Sequence, residues 1–327
     1  MTATQVIGAE GDAIERAARV LADGGLVAFP TETVYGLGAD ATNGAAVARL
    51  YEAKGRPSFN PLIAHVTDAA AARGLAHFDS AAERLAATFW PGPLTLVLPK
   101  VQDCPVADLA TAGLDTIAVR VPSHAVAHGL IEALGRPLVA PSANRSGHVS
   151  PTTAQHVLAD LGGRIALILD GGPAPMGVES TIVACLDRPV LLRPGALPRA
   201  AIERVVPLAE SPVLAEQAEA DTLPLAPGQL ASHYATRALL RLDAHNVKAG
   251  EALLAFGTAA VTGAQLAAFS LNLSPRGDLI EAAANLFSHL RALDACGAAT
   301  IAVMPIPDEG LGEAINDRLE RAAAPRG

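Results

Sequence analysis

Charge, sulfur and aromatic rings are all scarce in this chain. Charged residues make up 17% of its 327 positions and aromatics 3%, and there are only 3 cysteines. Cys104, Cys185 and Cys296 stand far apart, with no CxxC spacing or paired histidine beside them; this argues against a disulfide framework or a zinc site. No run of about 18 uninterrupted apolar residues exists to span a bilayer. Glu10 and Asp12 precede the first basic residue, Arg16, the wrong order of charge for a secretory signal. A soluble, cytoplasmic protein is the expectation.

Other absences narrow the chemistry. The only lysines are Lys54, Lys100 and Lys248, and none follows the glycine that a GxxxxGK[ST] loop requires, which excludes a P-loop NTPase. YGLGAD begins like a dinucleotide fingerprint without completing it, and neither a GxSxG elbow nor an HExxH pair occurs. The net charge is −9 and neither half of the chain is basic. Because affinity for nucleic acid comes mainly from phosphate neutralisation by Lys and Arg, tight unspecific binding to RNA or DNA is disfavoured, and a small anionic ligand is favoured.

Half of the residues are hydrophobic, and the length suggests two domains. The densest chemistry lies between Gly25 and Val66. Leu26 to Phe29 reads as a buried strand ending at Pro30, followed at once by Thr31, Glu32, Thr33 and Tyr35. Gly36 and Gly38 read as backbone free to turn sharply or to approach a ligand. Ala45, Ala46, Val47, Leu50 and Tyr51 recur at helical spacing, which delivers Lys54 and Arg56 to the helix end, where Gly55 and Pro57 stop it. The chain then returns through Asn60 and Pro61 into a strand bearing His65. Two cations beside a strand end rich in hydroxyls describe an anion site.

Farther on, WPGPLTLVL breaks a helix sharply before a strand, and Trp90 reads as core. Thr116 and Arg120 are four apart on an apolar strand and share a face. Arg120 needs a partner there, either a structural carboxylate such as Asp115 or the carboxylate of a substrate. A short strand at 138–140 empties into PSANRSGHVSPTT, where Ser142, Asn144 and Ser150 offer small donors suited to phosphate or ribose oxygens, with plain helix capping as the competing role. Ser180 and Arg193 again lie at strand ends. Polar residues at the ends of several apolar strands predict one cleft on a twisted mixed sheet. Residues 1–205 form this first domain, 206–236 a linker ending in APGQLASHYA, and 237–327 a small domain whose alternating strands and helices predict a parallel, Rossmann-like sheet.

The ordered strings of the first 205 residues, continued by APGQLASHYA, resemble the YrdC-type threonylcarbamoyl-AMP synthases. That resemblance implies an α/β fold and a reaction in which L-threonine, bicarbonate and ATP give threonylcarbamoyl-AMP and pyrophosphate. It implies a tetrad of Lys54, Arg56, Ser142 and Asn144 facing the nucleotide, with Asn60, Thr116, Ser150, Arg193 and Tyr234 as further contacts to ATP. Thr31, His65, Arg120 and Ser180 resemble the threonine pocket, and Tyr234 would fold over the site. Mg²⁺ would arrive with ATP, and the product would pass to a separate transferase that modifies tRNA. The sequence departs from the family pattern at Thr236, where proline is common. The rival readings are an RNA-binding or ribosome-associated module on the same scaffold, and a carbamoyl transferase of the kind found in hydrogenase maturation, whose additional domains have no counterpart here.

Overall fold

The computed structural model describes residues 3–210 and 233–325, so most of the expected linker, including Pro227 and Gly228, lies outside the described residues. The first part of the chain runs β1 (Gln5–Gly8), α1 (Ala13–Ala22), β2 (Val27–Phe29), β3 (Gly36–Asp40), α2 (Gly44–Lys54), β4 (Ile63–His65), α3 (Ala69–Arg73), α4 (Ser80–Phe89), β5 (Leu94–Pro99) and β6 (Thr116–Arg120). It continues through α5 (Ala125–Leu134), β7 (Leu138–Val139), α6 (Ala154–Leu161), β8 (Leu167–Asp170), β9 (Thr181–Cys185), β10 (Pro189–Arg193) and α7 (Arg199–Glu203).

Its strands form one mixed sheet in the order β1-β8-β2-β3-β7-β4-β6-β5-β9-β10. Period-two alternation divides their side chains between two faces. Val27 and Phe29 join Leu21 of α1 and Leu130 of α5 in one core, while Ala28, Leu37 and Leu96 join α2, α4 and α6 in the larger core opposite. With helices on both faces the strands are buried, which is why they read as short unbroken apolar runs. Trp90 lies partly buried against this larger core, its indole donating to the Leu94 carbonyl at 2.7 Å and its edge meeting Phe78.

Gly36 and Gly38 do not form the ligand-facing turn that the sequence suggests. They lie inside β3, fully buried, and a side chain at Gly38 would start 2.9 Å from a ring carbon of Phe29. The glycines make room for Phe29 within a strand. Strand β1 also escaped the sequence reading: its four residues are mostly exposed and hold their place by parallel pairing with β8 at the sheet edge.

The second part contains β11 (Leu239–Arg241), β12 (Ala252–Ala255), β13 (Ser270–Asn272) and β14 (Thr300–Val303), with long helices at Leu279–Ala295 and Gly312–Ala323. All three strand pairings are parallel, in the order β11-β14-β12-β13, as the alternation predicts. This small domain docks on the large one. Arg291 pairs with Asp160 at 2.8 Å, Arg199 with Glu313 at 2.5 Å, and Thr152 shares a 2.8 Å hydrogen bond with Ser288.

Gly177 lies where the two backbones pack tightly across the seam. Its φ is +73°, and an added Cβ would lie 2.3 Å from the Ala283 carbonyl oxygen and 2.5 Å from the Ala284 Cα. Gly177→Ala combines left-handed backbone strain with a backbone clash, and we expect a loss of about 2–4 kcal/mol in denaturant unfolding. Unchanged stability would mean that the seam yields without cost.

Candidate active site

Strand register assembles the first half of the site. His65 of β4 pairs with Arg120 of β6, which pairs in turn with Thr95 of β5, so the three side chains stand in a row across neighbouring strands. His65 Nδ1 lies 3.1 Å from the Ile63 carbonyl oxygen. A carbonyl can only accept, so the ring proton sits on Nδ1 and the Nε2 lone pair is left to accept. Burial, reinforced by the Arg120 charge, pushes the pKa of His65 down to about 3, and the ring is neutral at physiological pH.

Arg120 finds its carboxylate in Glu32, at 2.6 Å, with side-chain exposures of only 5% and 6%. Asp115, the partner considered from sequence, instead offers its backbone oxygen to Lys100. Burial draws the Glu32 carboxyl upward, but the Arg120 charge and the hydrogen bonds outweigh it and hold the group below its usual range. In the same turn Thr31 is spent locally: its hydroxyl donates to the Val34 carbonyl at 2.7 Å and accepts from the Thr33 and Val34 amides. Thr33, two residues on, is the threonine that faces the cavity.

The cations of the second half are placed by a helix end. Asn43 caps the start of α2 by accepting from the Ala45 and Ala46 amides, and Gly55, with φ of 60°, turns the chain out of it. Lys54 is thereby carried inward, where its ammonium donates to the backbone oxygens of Ser142, at 2.5 Å, and Asn144. The sequence led us to expect Lys54 on phosphate; here it braces the loop that carries Ser142. Burial and the neighbouring Arg56 hold its pKa well below the ordinary lysine value. Arg56 donates to the carbonyls of Asn60 (3.2 Å) and Pro61 (3.0 Å), and its pKa is lowered to about 10, chiefly by burial. Asn144 is a loop clamp, its amide donating to the carbonyls of Arg145 and His148 at 2.7 and 2.8 Å.

Arg193, at the end of β10, reaches back to Ser180, donating to its carbonyl at 2.8 Å, while the Ser180 hydroxyl lies 2.8 Å from that of Thr95. Ser150 donates to Glu179 at 2.6 Å, and Glu179 also accepts from Arg318 at 2.9 Å. Although burial opposes it, the charges of Arg318 and Arg193 bring the Glu179 pKa down to about 2. Tyr234 is buried, stacked on Phe287 with ring centroids 5.3 Å apart and edge-on to His233 at 4.1 Å. Its φ of 63° is unusual for an aromatic residue and marks a backbone held by its surroundings.

These groups line a cavity of about 50 Å³. Of the residues expected from sequence, Arg56, His65, Arg120, Ser142, Ser180, Arg193 and Tyr234 line it. Lys54, Asn60, Asn144 and Ser150 stand one contact behind the lining, bonded to Ser142, Arg56, the loop and Glu179, and Thr31 braces the turn that presents Thr33. Thr116 lies at the start of β6, its hydroxyl buried without a hydrogen-bond partner among the described residues, and no contact ties it to the cavity. Sequence reasoning noted Glu32, Thr33 and His233 without giving them a place in the site, and it passed over Glu179. Both acids adjoin hydroxyl residues that were singled out, and that adjacency was the available signal.

Comparison with known proteins agrees with this geometry. A family model described as "Telomere recombination", covering the Sua5, YciO and YrdC proteins, matches residues 19–195, and one described as "Threonylcarbamoyl-AMP synthase, C-terminal domain" matches residues 197–324. The threonylcarbamoyl-AMP synthase of Bacillus subtilis (strain 168) is 43% identical over 327 aligned residues, spanning 96% of this chain and 93% of the relative. That of Pyrococcus abyssi (strain GE5 / Orsay) is 43% identical over 324, spanning 96% and 94%. The crystal structure of P. abyssi Sua5 complexed with L-threonine superposes with a TM-score of 0.88 at 40% identity, over 98% of each chain. Both halves of the chain, the sheet topology and the cavity at its strand ends place it in one lineage: it belongs to the threonylcarbamoyl-AMP synthase family, in the two-domain Sua5 form.

Proposed function

We propose that this enzyme converts L-threonine, bicarbonate and ATP into L-threonylcarbamoyl-AMP and pyrophosphate, for transfer to tRNA by a separate transferase. The observation that carries the proposal is the charge of the cavity: among the described residues Arg56, Arg120 and Arg193 line it against one carboxylate, Glu179, in a protein of net charge −9. Such a cavity favours anions, and its low-dielectric walls strengthen every charge contact inside.

The roles follow from what each group has left to offer. Arg120 faces the threonine carboxylate, with Glu32 fixing its orientation, and the neutral His65 accepts from the threonine hydroxyl through Nε2. Ser180 and Thr33 border the same pocket. Arg56 and Arg193 face the phosphates of ATP, while Lys54 and Asn144 hold the Ser142 loop in place. The carboxylated amine of threonine attacks the α-phosphorus and pyrophosphate leaves, a step that needs positioning and charge neutralisation more than a side-chain nucleophile. Tyr234 and His233 close the cavity above the labile anhydride, where exclusion of water protects it. Mg²⁺ enters as Mg·ATP, carried by the phosphates, since both oxygens of Glu179 are already engaged by Ser150 and Arg318.

Purified protein given Mg²⁺, ATP, threonine and bicarbonate is expected to release pyrophosphate only when all are present; release independent of threonine would refute the assignment. Arg120→Ala should raise the KM for threonine by roughly 30-fold or more and that for ATP far less, since it removes a charge-assisted contact and orphans Glu32. Equal effects on both substrates would place Arg120 outside the amino-acid pocket.

The neutral histidines set the pH response. His65 and His233 have folded-state pKa values of about 3, below the ordinary 6.5, so the unfolded chain takes up protons that the folded one does not. Stability is complete above about pH 6.5 and is lost as the pH falls toward 3. Melting temperature should therefore drop on acidification through that window, while the threonine KM changes by less than about twofold between pH 6 and 8 because His65 does not titrate there. A protonation step near pH 6.5 in the threonine KM, assigned to His65 by its loss in His65→Leu, would contradict the buried, neutral ring described above.

A further inference from the structure

Thr95 carries the one hydroxyl in the string WPGPLTLVL, and β5 places it in the middle of the site. In the register of the sheet it stands between Arg120 of β6 and Ile182 of β9, completely buried and on the same face as Val97. Thr95 does not itself line the cavity. Among the described residues its hydroxyl meets a single partner, the hydroxyl of Ser180 at 2.8 Å. The neighbours on that face, Val97, Ala118 and Ile182, are apolar and offer its proton no side-chain acceptor. Ser180 does line the cavity, and its oxygen also accepts from Nη2 of Arg193 at 3.3 Å. This arrangement fixes the direction of the bond between the two hydroxyls. Each has one proton to give and two lone pairs. If Ser180 donated, the Thr95 proton would be buried without an acceptor, at the full cost of its desolvation. If Thr95 donates, every group is satisfied: Thr95 and Arg193 take both lone pairs of Ser180, and the Ser180 proton is left for an acceptor in the cavity.

We propose that Thr95 is a positioning residue for the amino-acid substrate: it makes Ser180 a hydrogen-bond donor, directed at an oxygen of the threonine carboxylate beside Arg120. The order of strands suits that acceptor. β6 runs between β4 and β5, so Ser180, at the start of β9 beyond β5, lies on the far side of Arg120 from His65. A carboxylate held by Arg120 then turns one oxygen toward Ser180, while the hydroxyl of the same molecule reaches His65. A hydroxyl that accepts two hydrogen bonds is also the stronger donor, because bonded groups in a chain polarise one another. The row thus presents an acceptor at one end, the neutral His65, and donors from Arg120 onward.

This inference rests on the synthase reading, and threonine-dependent pyrophosphate release by the unaltered protein tests that reading separately. The full-length chain carrying T95V keeps the outline of the side chain and loses its proton. Its KM for threonine is expected to rise about fivefold or more, while kcat and the KM for ATP change by less than about twofold, the pattern of a lost substrate contact. T95S retains the donor and should stay within about twofold of the parent in the threonine KM. The decisive comparison is the double variant T95V/S180A. Because Thr95 acts through Ser180, adding T95V to S180A should change the threonine KM by less than about twofold; a merely structural role leaves the effect of T95V undiminished beside S180A and moves both substrates alike. If T95V does not fold, T95C, whose thiol is only a weak donor, replaces it in both comparisons. A threonine KM within about twofold of the parent in T95V, no rescue by T95S, or effects that multiply in the double variant overturn the proposal.

Discussion

Like charges crowded into a small volume are the constraint around which this site is built. Lys54, Arg120, Arg193 and Arg318 are each at most 5% exposed, and Arg56 lies among them. Buried cations are tolerated only when each has acceptors of its own. The molecule answers with different partners: Lys54 and Arg56 take backbone carbonyls, Arg120 takes Glu32, and Arg318 takes Glu179 and Asp317. Carbonyl partners hold an arginine in place without cancelling its charge, so Arg56 keeps its positive field for a ligand. Carboxylate partners neutralise, and they are placed on Arg120 and Arg318.

That division of labour explains how the sheet and the site depend on one another. Carbonyl acceptors are available because the chain leaves regular structure at strand and helix ends, at Asn60 and Pro61 before β4 and in the loop after β7. The strands carry the opposite duty. Register alone puts His65 beside Arg120, and a slip of one residue would turn both to the wrong face.

Much of this was legible in the chain. The helix that delivers Lys54 and Arg56 follows from apolar spacing with Gly55 as its stop, and the parallel sheet of the small domain follows from alternation. What stayed hidden depended on distance along the chain. Arg120 was seen to need a carboxylate, but its partner is 88 positions away, and only the folded turn at Thr31 to Val34 brings Glu32 to it. Gly36 and Gly38 misled because a glycine that admits Phe29 looks, in sequence, like a glycine that admits a ligand. Arg318 was missed because its charge masked its position. In this helix it stands four residues from both Ala314 and Ala322, beside the apolar stripe, and it meets Glu179 of the other domain.

The partnership of Glu179 with Arg318 spans 139 positions of the chain. A ribosome has made every residue of the cavity lining by Tyr234, yet it has still to add the helix that restrains Glu179 and stacks on the tyrosine. Domains fold in order as they are synthesised. The large sheet can therefore be complete while the support behind Glu179 and Tyr234 is not, and the growing chain acquires that support only once the helix bearing Arg318 has been made. In this architecture a product truncated before Arg318 keeps the recognisable motifs of the large domain but leaves Glu179 without the cation that holds it.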